Sequence, residues 1–294
     1  MKKYIKLFYL SLTFLICISV SAQTGRPQSK IITDSIYSEI LDAYRTYNIF
    51  LPQSYEMDKD KKYPILYLLH GVMDTNQGWT TRGHLKDVMD QLIASGEADE
   101  MIIVTPNAGG NIYAGEWNGY FNMPGWAYED FFFKEFLVYI EKNYRVKGDK
   151  QNRAIAGLSM GGGGSTSYAQ KHPDMFCAVY AMSALMNIPN VGGLPPQNPD
   201  DKMAILNKSV IENSCIKFIE EASDETKEML RTVKWFVDCG DDDFLLDRNI
   251  EFIQAMHKAD IPFQFRVRDG GHTWEYWHSA LYISLPFISR TFSK

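Results

Sequence analysis

Residues 153–164 read RAIAGLSMGGGG, a short apolar run that ends on one serine set between glycines. Few backbones accept that arrangement. A strand that turns directly into a helix at Ser159 needs a turn so tight that the residues two before and two after the serine lack bulk, and Gly157 and Gly161 meet that need. The serine then takes strained φ/ψ angles. Its hydroxyl stands at a helix N-terminus, where backbone amides favour negative charge. Gly162, Gly163 and Gly164 let the helix come close to the sheet. A glycine-rich loop with an incidental serine would fit these residues alone, but it does not account for the strand before them and the helix after.

The rest of the chain supplies the frame. Short apolar runs predict strands at 47–51 (YNIFL), 63–69 (YPILYLL), 101–106 (MIIVTP), 153–157, 176–182 (FCAVYAM), 233–239 (VKWFVDC) and 262–267. Helical periodicity covers 128–144, with Phe132, Phe136, Tyr139 and Ile140 on one side. Further helices are expected at 165–171, at 248–259 and at 278–289, the last interrupted by Pro286. Strands that are short, apolar and alternate with helices predict an α/β fold: a mostly parallel sheet covered on both faces. Residues 184–230 break the rhythm. They begin as MNIPNVGGLPPQNPDD and continue into an amphipathic helix over 211–230. This segment reads as a lid-like insertion between two core strands, at the end of the sheet where ligands bind.

The first residues read as a leader. Lys2, Lys3 and Lys6 precede an apolar run over 7–20, shorter than the roughly 20 residues of a spanning helix. Val20-Ser21-Ala22 offers the small residues of a cleavage site, so 1–22 is expected to be a signal peptide and 23–294 a single exported domain, periplasmic or secreted. Losing three lysines and no acid takes the net charge from −6 to −9 (27 basic against 36 acidic). An acidic chain without a basic stripe argues against nucleic acid and anionic membrane as partners, and no membrane insertion is expected after cleavage. Cys177, Cys215 and Cys239 are too few and too scattered for a disulfide framework. No Cys or His pair has metal-ligand spacing, so neither metal nor cofactor is expected.

A serine hydroxyl is a weak nucleophile until a base removes its proton. On a strand–turn–helix site of this kind the chain order is serine, acid, histidine. His257, His272 and His278 follow Ser159 at sufficient distance. His257 falls within an amphipathic helix and His278 within the closing one. His272 sits in RDGGHTW, a glycine loop after the last strand, and is the favoured base, with His278 second. The acid belongs on the loop after 233–239, which reads GDDDF; spacing leaves Asp241, Asp242, Asp243 and Asp247 all open. The oxyanion of acyl transfer needs two donors. One is the Met160 amide. The other is the Val72 amide in LLHGV, with His70 holding that loop. Trp79, Trp117, Tyr120 and Trp126 lie in loops at the same end of the sheet and are expected to bind substrate through their aromatic faces. Trp274 and Trp277 are expected to wedge the histidine loop.

With these residues in place the chain resembles the esterase D/putative esterase group of α/β-hydrolases, and within it the feruloyl and acetyl-xylan esterases of carbohydrate esterase family 1. The likeness runs from YNIFLP through LLHG, TPN, YEDFFFKEF, GLSMGG and CGDDDFLLDRN to GGHTWEYW. It implies an α/β-hydrolase fold with Ser159 as nucleophile and His272 as base. It selects Asp243, directly before Phe244, as the acid, and gives Val72 and Met160 as the oxyanion amides. The function implied is a serine carboxylic-ester hydrolase acting on an ester-bearing carbohydrate or small molecule, with hydroxycinnamoyl esters of plant polysaccharide favoured because aromatics surround the site. The insertion bears Leu185, Met186 and Leu194, which would flank the acyl group. Three alternatives stand beside this. One is an esterase for acetyl or other small esters. The others are a catalytically weak fold that only holds polysaccharide, and a peptidase of the prolyl oligopeptidase type, which the lack of a propeller domain disfavours.

Overall fold

The structure is a computed structural model that describes residues 28–188 and 201–292. The expected leader, its cleavage site and Leu194 lie outside the described residues. Eight strands form the central sheet: β1 (Lys30–Ser38), β2 (Ala43–Leu51), β3 (Ile65–Leu69), β4 (Ile102–Pro106), β5 (Arg153–Leu158), β6 (Ala178–Met182), β7 (Lys234–Gly240) and β8 (Phe263–Arg268). They pair in the order β1-β2-β4-β3-β5-β6-β7-β8. Only β2 runs against the others. The α/β-hydrolase expectation therefore holds: the sheet is mostly parallel and covered on both faces.

The central strands β3, β4 and β6 are buried along their whole length because neither face meets water. In β3, Ile65, Tyr67 and Leu69 point into one core layer, and Leu66 and Leu68 into the other. The helices divide accordingly. The helix over 128–143, α2 (Met160–Lys171), α4 (Cys215–Glu221) and α6 (Leu246–Lys258) cover the first face. The second is covered by α1 (Leu85–Ser95) and α7 (Trp274–Thr291). Several elements are additional to those expected, and two of them shape the sheet and its cover. One is α1, whose Leu85, Val88, Met89 and Leu92 are buried at helical spacing. The other is β1, a half-exposed edge strand of mixed polarity.

Three boundaries differ from expectation. The helix after Ser159 begins at once, at Met160 rather than 165. The helix over 211–230 is in fact broken: α3 (Lys202–Glu212), α4 and α5 (Asp224–Arg231) are separated where the Ser214 and Ser223 hydroxyls accept backbone N–H groups and start new helices. Finally, α7 starts at Trp274, capped by Thr273, and runs through Pro286 without ending. A proline inside a helix costs about 3 kcal/mol; burial of Leu285, Phe287 and Ile288 around it offsets that. No described helix is long and apolar enough to cross a membrane.

Candidate active site

Ser159 sits between β5 and α2 at φ 53°, ψ −118°, a conformation that costs of order 1–3 kcal/mol. Its surroundings impose it. A Cβ on Gly157 would run into the Gly161 carbonyl, and a Cβ on Gly161 would lie 2.5 Å from the His70 carbonyl oxygen. The serine amide donates to Met182 O, and the serine carbonyl accepts from Leu185 N, at 2.9 Å each. The turn is thus pinned to the neighbouring strand end.

Three loops converge there. His272 Nε2 lies 2.9 Å from Ser159 Oγ. On the other side of the ring, Nδ1 lies 2.9 and 3.1 Å from the two oxygens of Asp243. The Asp243 carboxylate also accepts the Leu245 amide at 2.9 Å, and its side chain is fully buried. Burial alone would raise its pKa. The bonds from His272, Leu245 N and the Ser183 hydroxyl outweigh that and hold the carboxyl below its ordinary value. The structure therefore brings together Ser159, His272 and, of the four acids, Asp243. Asp241, Asp242 and Asp247 are exposed, and Asp241 accepts the Gly270 amide instead. His257 is exposed on α6, and His278 bonds the Gly83 carbonyl at 2.9 Å.

Val72 lines the cleft together with Ser159, and Met160 follows the serine directly. Met160 is the first residue of α2, so its N–H belongs to the first turn, which has no intrahelical acceptors. Gly71 packs on the serine: a Cβ there would sit 2.6 Å from Leu158 Cδ1 and 3.4 Å from Ser159 Cβ. His70 is buried beneath. Its Nε2 accepts the Ala108 amide at 3.0 Å, which leaves the proton on Nδ1, 2.7 Å from the Gly71 carbonyl. Burial lowers its pKa and keeps it neutral. It holds the loop and is remote from proton transfer.

The aromatic residues redistribute. Trp79 is fully enclosed, its N–H on the Leu69 carbonyl, and Tyr120 is fully enclosed with its hydroxyl on the His70 carbonyl. Both are core residues, which corrects the expectation that they meet substrate. Trp126 stacks on Tyr128 and donates to Gly119 O; neither it nor the half-buried Trp117 lines the cleft above the serine. Met186 is buried as well. That cleft, about 310 Å³, is lined by Val72, Met73, Arg82, Tyr113, Trp274 and Trp277 among others. Trp277 packs edge-on to His272 with ring centres 4.8 Å apart, and its N–H bonds the Ser183 hydroxyl.

Sequence reasoning missed the support under the histidine loop. Asp238 on β7 is wholly buried. It accepts from Tyr180 at 2.7 Å, from Arg266 at 2.6 Å and from the Tyr276 hydroxyl. The Tyr276 ring is covered by the Arg268 guanidinium at 3.5 Å, and Gly270, at φ 133°, packs against it. Arg268 and Tyr276 bracket the loop that carries His272; the Asp238 carboxylate takes the Tyr276 hydroxyl at one end and lies 3.9 Å from Arg268 Nε at the other.

Residues 38–288 match the family model described as Putative esterase. A solved structure of a ferulic acid esterase is 67% identical, covering 91% of this chain and all of that one, with a TM-score of 0.88. An endo-1,4-beta-xylanase/feruloyl esterase of Xylanibacter ruminicola is 34% identical over 145 residues, 48% of this chain but only 20% of that protein. An acetyl esterase of Caldicellulosiruptor saccharolyticus is 22% identical over 88% of this chain and 98% of its own.

Proposed function

This chain belongs to the Putative esterase family, and we propose that it hydrolyses carboxylic esters through an acyl-enzyme on Ser159, with hydroxycinnamoyl esters of plant polysaccharide as its substrates. The observation that carries the reading is the continuous chain from Ser159 Oγ through His272 to Asp243, with both ring nitrogens in hydrogen-bond reach. Asp243 accepts a hydrogen bond from Nδ1–H, which leaves the Nε2 lone pair facing the serine. As Oγ attacks the ester carbon, its proton passes to Nε2, and the carbonyl oxygen gains the negative charge at the Val72 and Met160 amides. Collapse of the intermediate breaks the bond to the alcohol oxygen, which takes the proton from Nε2. Water then repeats the sequence and releases the acid. Asp243 stays ionised throughout and stabilises the imidazolium that forms twice.

The acyl preference draws on the ferulic acid esterase likeness and on the apolar cleft residues Val72, Met73, Leu158 and Trp277. Its volume is at the low end of the ~300–1,000 Å³ of small-molecule sites, enough for one aromatic acid. An aromatic group burying roughly 150 Å² gains at most about 4 kcal/mol at about 25 cal/mol per Å². That gain raises the rate only as far as it also seats the carbonyl on the oxyanion amides. Export to the periplasm or beyond rests on the basic and apolar pattern of 1–22.

The test has two arms. Wild type should be labelled by a fluorophosphonate and cleave methyl ferulate, and Ser159→Ala should lose both while folding normally. An unlabelled wild type would instead favour a fold that only binds polysaccharide. Methyl ferulate should exceed acetylated xylan in kcat/KM at least tenfold; a tenfold preference for acetyl would overturn the acyl assignment and leave the esterase.

A further inference from the structure

The path of the proton divides the cleft into two sides. His272 Nε2 delivers its proton to the oxygen of the departing alcohol, so that oxygen must come within about 2.6–3.2 Å of Nε2. The alcohol half of the ester therefore leaves the reaction centre past the residues that follow His272. These are Thr273 and Trp274, and both line the cleft. The next layer on that side is Arg82, another lining residue. Its guanidinium lies 4.8 Å from the centre of the Trp274 ring, and its Nη2 lies 2.9 Å from Asp74 Oδ2. Trp274 is itself wedged at near right angles against Trp79 and Trp277. Asp74 is almost fully buried, whereas 49% of the Arg82 side chain is exposed.

The chemistry of this group is specific. A guanidinium carries five N–H donors in one rigid plane. The Asp74 pair engages one nitrogen, and donors remain beside the cleft. The indole below and the carboxylate at the edge already hold the side chain, so little rotamer freedom is lost when it binds. Asp74 also cancels the charge of Arg82. An unpaired arginine would attract a carboxylate or phosphate; a paired one has no net charge to offer and recognises neutral oxygen acceptors. A small alkyl alcohol has nothing to give these donors once its ester oxygen is committed to His272. A sugar has several hydroxyls.

We propose that Arg82, held by Trp274 and Asp74, is the subsite for the alcohol half of the ester and selects a neutral sugar. The inference rests on the ester-hydrolase reading above but not on the acyl group, so its test spans both acids. For ferulic and for acetic acid, kcat/KM is measured on the ester of a neutral pentose and on the methyl ester, with wild type, Arg82→Gln and Arg82→Lys. The pentose-to-methyl ratio should fall about tenfold in Arg82→Gln, the weight of one or two hydrogen bonds. The loss should sit in KM, because a sugar held outside the reacting bond is bound alike in ground and transition states. Arg82→Lys keeps the charge but loses the planar fork, and its ratio should also fall. A ratio within threefold of wild type in Arg82→Gln overturns the subsite, whatever happens to the separate rates. A wild type that cleaves none of the four esters overturns the ester-hydrolase reading, and the subsite with it.

Discussion

Replacing Asp243 by Asn changes one atom and, from the geometry, reverses the histidine. Oδ1 of the carboxylate accepts from Leu245 N and lies 3.1 Å from His272 Nδ1, and Oδ2 lies nearer Nδ1, at 2.9 Å. The Leu245 amide is only a donor, so in Asp243→Asn it claims the carbonyl oxygen. The new NH₂ then faces Nδ1. Two donors cannot share that position, so the ring must present a lone pair at Nδ1 and carry its proton on Nε2, 2.9 Å from Ser159 Oγ. A protonated Nε2 cannot accept the serine proton. The expected loss in kcat/KM is about 10⁴-fold, the order seen when a triad aspartate is amidated, or about 5.4 kcal/mol at 1.36 kcal/mol per decade. Methyl ferulate hydrolysis measures it, with Asp241→Asn and Asp242→Asn as exposed controls expected within about threefold of wild type. A loss below 100-fold at Asp243, or an equal loss at Asp242, refutes the reasoning. Stability supplies an independent sign. Hydrogen bonding holds the Asp243 carboxyl below its ordinary value. Its contribution is therefore complete above the unfolded pKa of ~3.9 and is lost as pH falls through the lower folded value. The Tm gap between wild type and Asp243→Asn should narrow from pH 6 to pH 3; a widening gap contradicts the assignment.

Two further substitutions address the scaffold. Tyr276→Phe removes the hydroxyl bound to buried Asp238 and should cost about 1.5–3 kcal/mol of stability. It should also lower kcat by 10- to 100-fold with KM within threefold, because a misplacement of order 1 Å at His272 has that effect; a kcat within twofold of wild type would show that the loop is held by other contacts. Gly157→Ala forces a Cβ into the Gly161 carbonyl and should cost about 1–3 kcal/mol. Its Tm should drop by several degrees, at roughly 2–4 °C per kcal/mol, and a drop under 1 °C would mean that the turn has room to relax.

What the sequence disclosed follows from where each signal lives. Central parallel strands such as ILYLL are buried on both faces, so they appear as unbroken apolar runs and are easily read. The glycines around Ser159 report a backbone collision, which is local and hence also legible. The acid is different. Asp241, Asp242 and Asp243 share one turn, and only the fold turns Asp243 inward toward the histidine loop; no periodicity in GDDDF carries that direction. The likeness to known esterases selected Asp243 where spacing left it open. Loop aromatics fail for the same reason. Trp79 lies in a single helical turn over Gly78–Thr81 and Tyr120 in an irregular segment, both too short for a period to separate an inward ring from an outward one, and both face the core. Arg82 and Tyr113 give no local sign that they border the cleft, because a surface arginine and a surface tyrosine read alike wherever they sit.

The site therefore has two layers with different physical demands. The proposed reacting groups hang from three loops at the ends of parallel strands, and two of them are enclosed: Ser159 is 5% exposed and the Asp243 side chain is buried. Enclosure keeps water from competing for Nδ1 and for the oxyanion amides, where a fixed dipole acts most strongly. It also makes every member depend on packing below, at Asp238, His70 and the glycines of the turn. A change in that layer alters the reaction for every ester alike. The cleft wall is the reverse. Met73, Arg82 and Tyr113 stand exposed, Tyr113 at 83%, and apart from the pairing of Arg82 with buried Asp74 little of the fold rests on them. Substitutions at Met73 and Tyr113 should cost little stability, Arg82 substitutions more because buried Asp74 loses its partner, and all are expected to shift the preference among esters. On this argument the Arg82 variants should change which ester is taken, while Tyr276→Phe should slow all of them by the same factor; proportional losses on the pentose and methyl esters in both cases would show that wall and scaffold are a single unit.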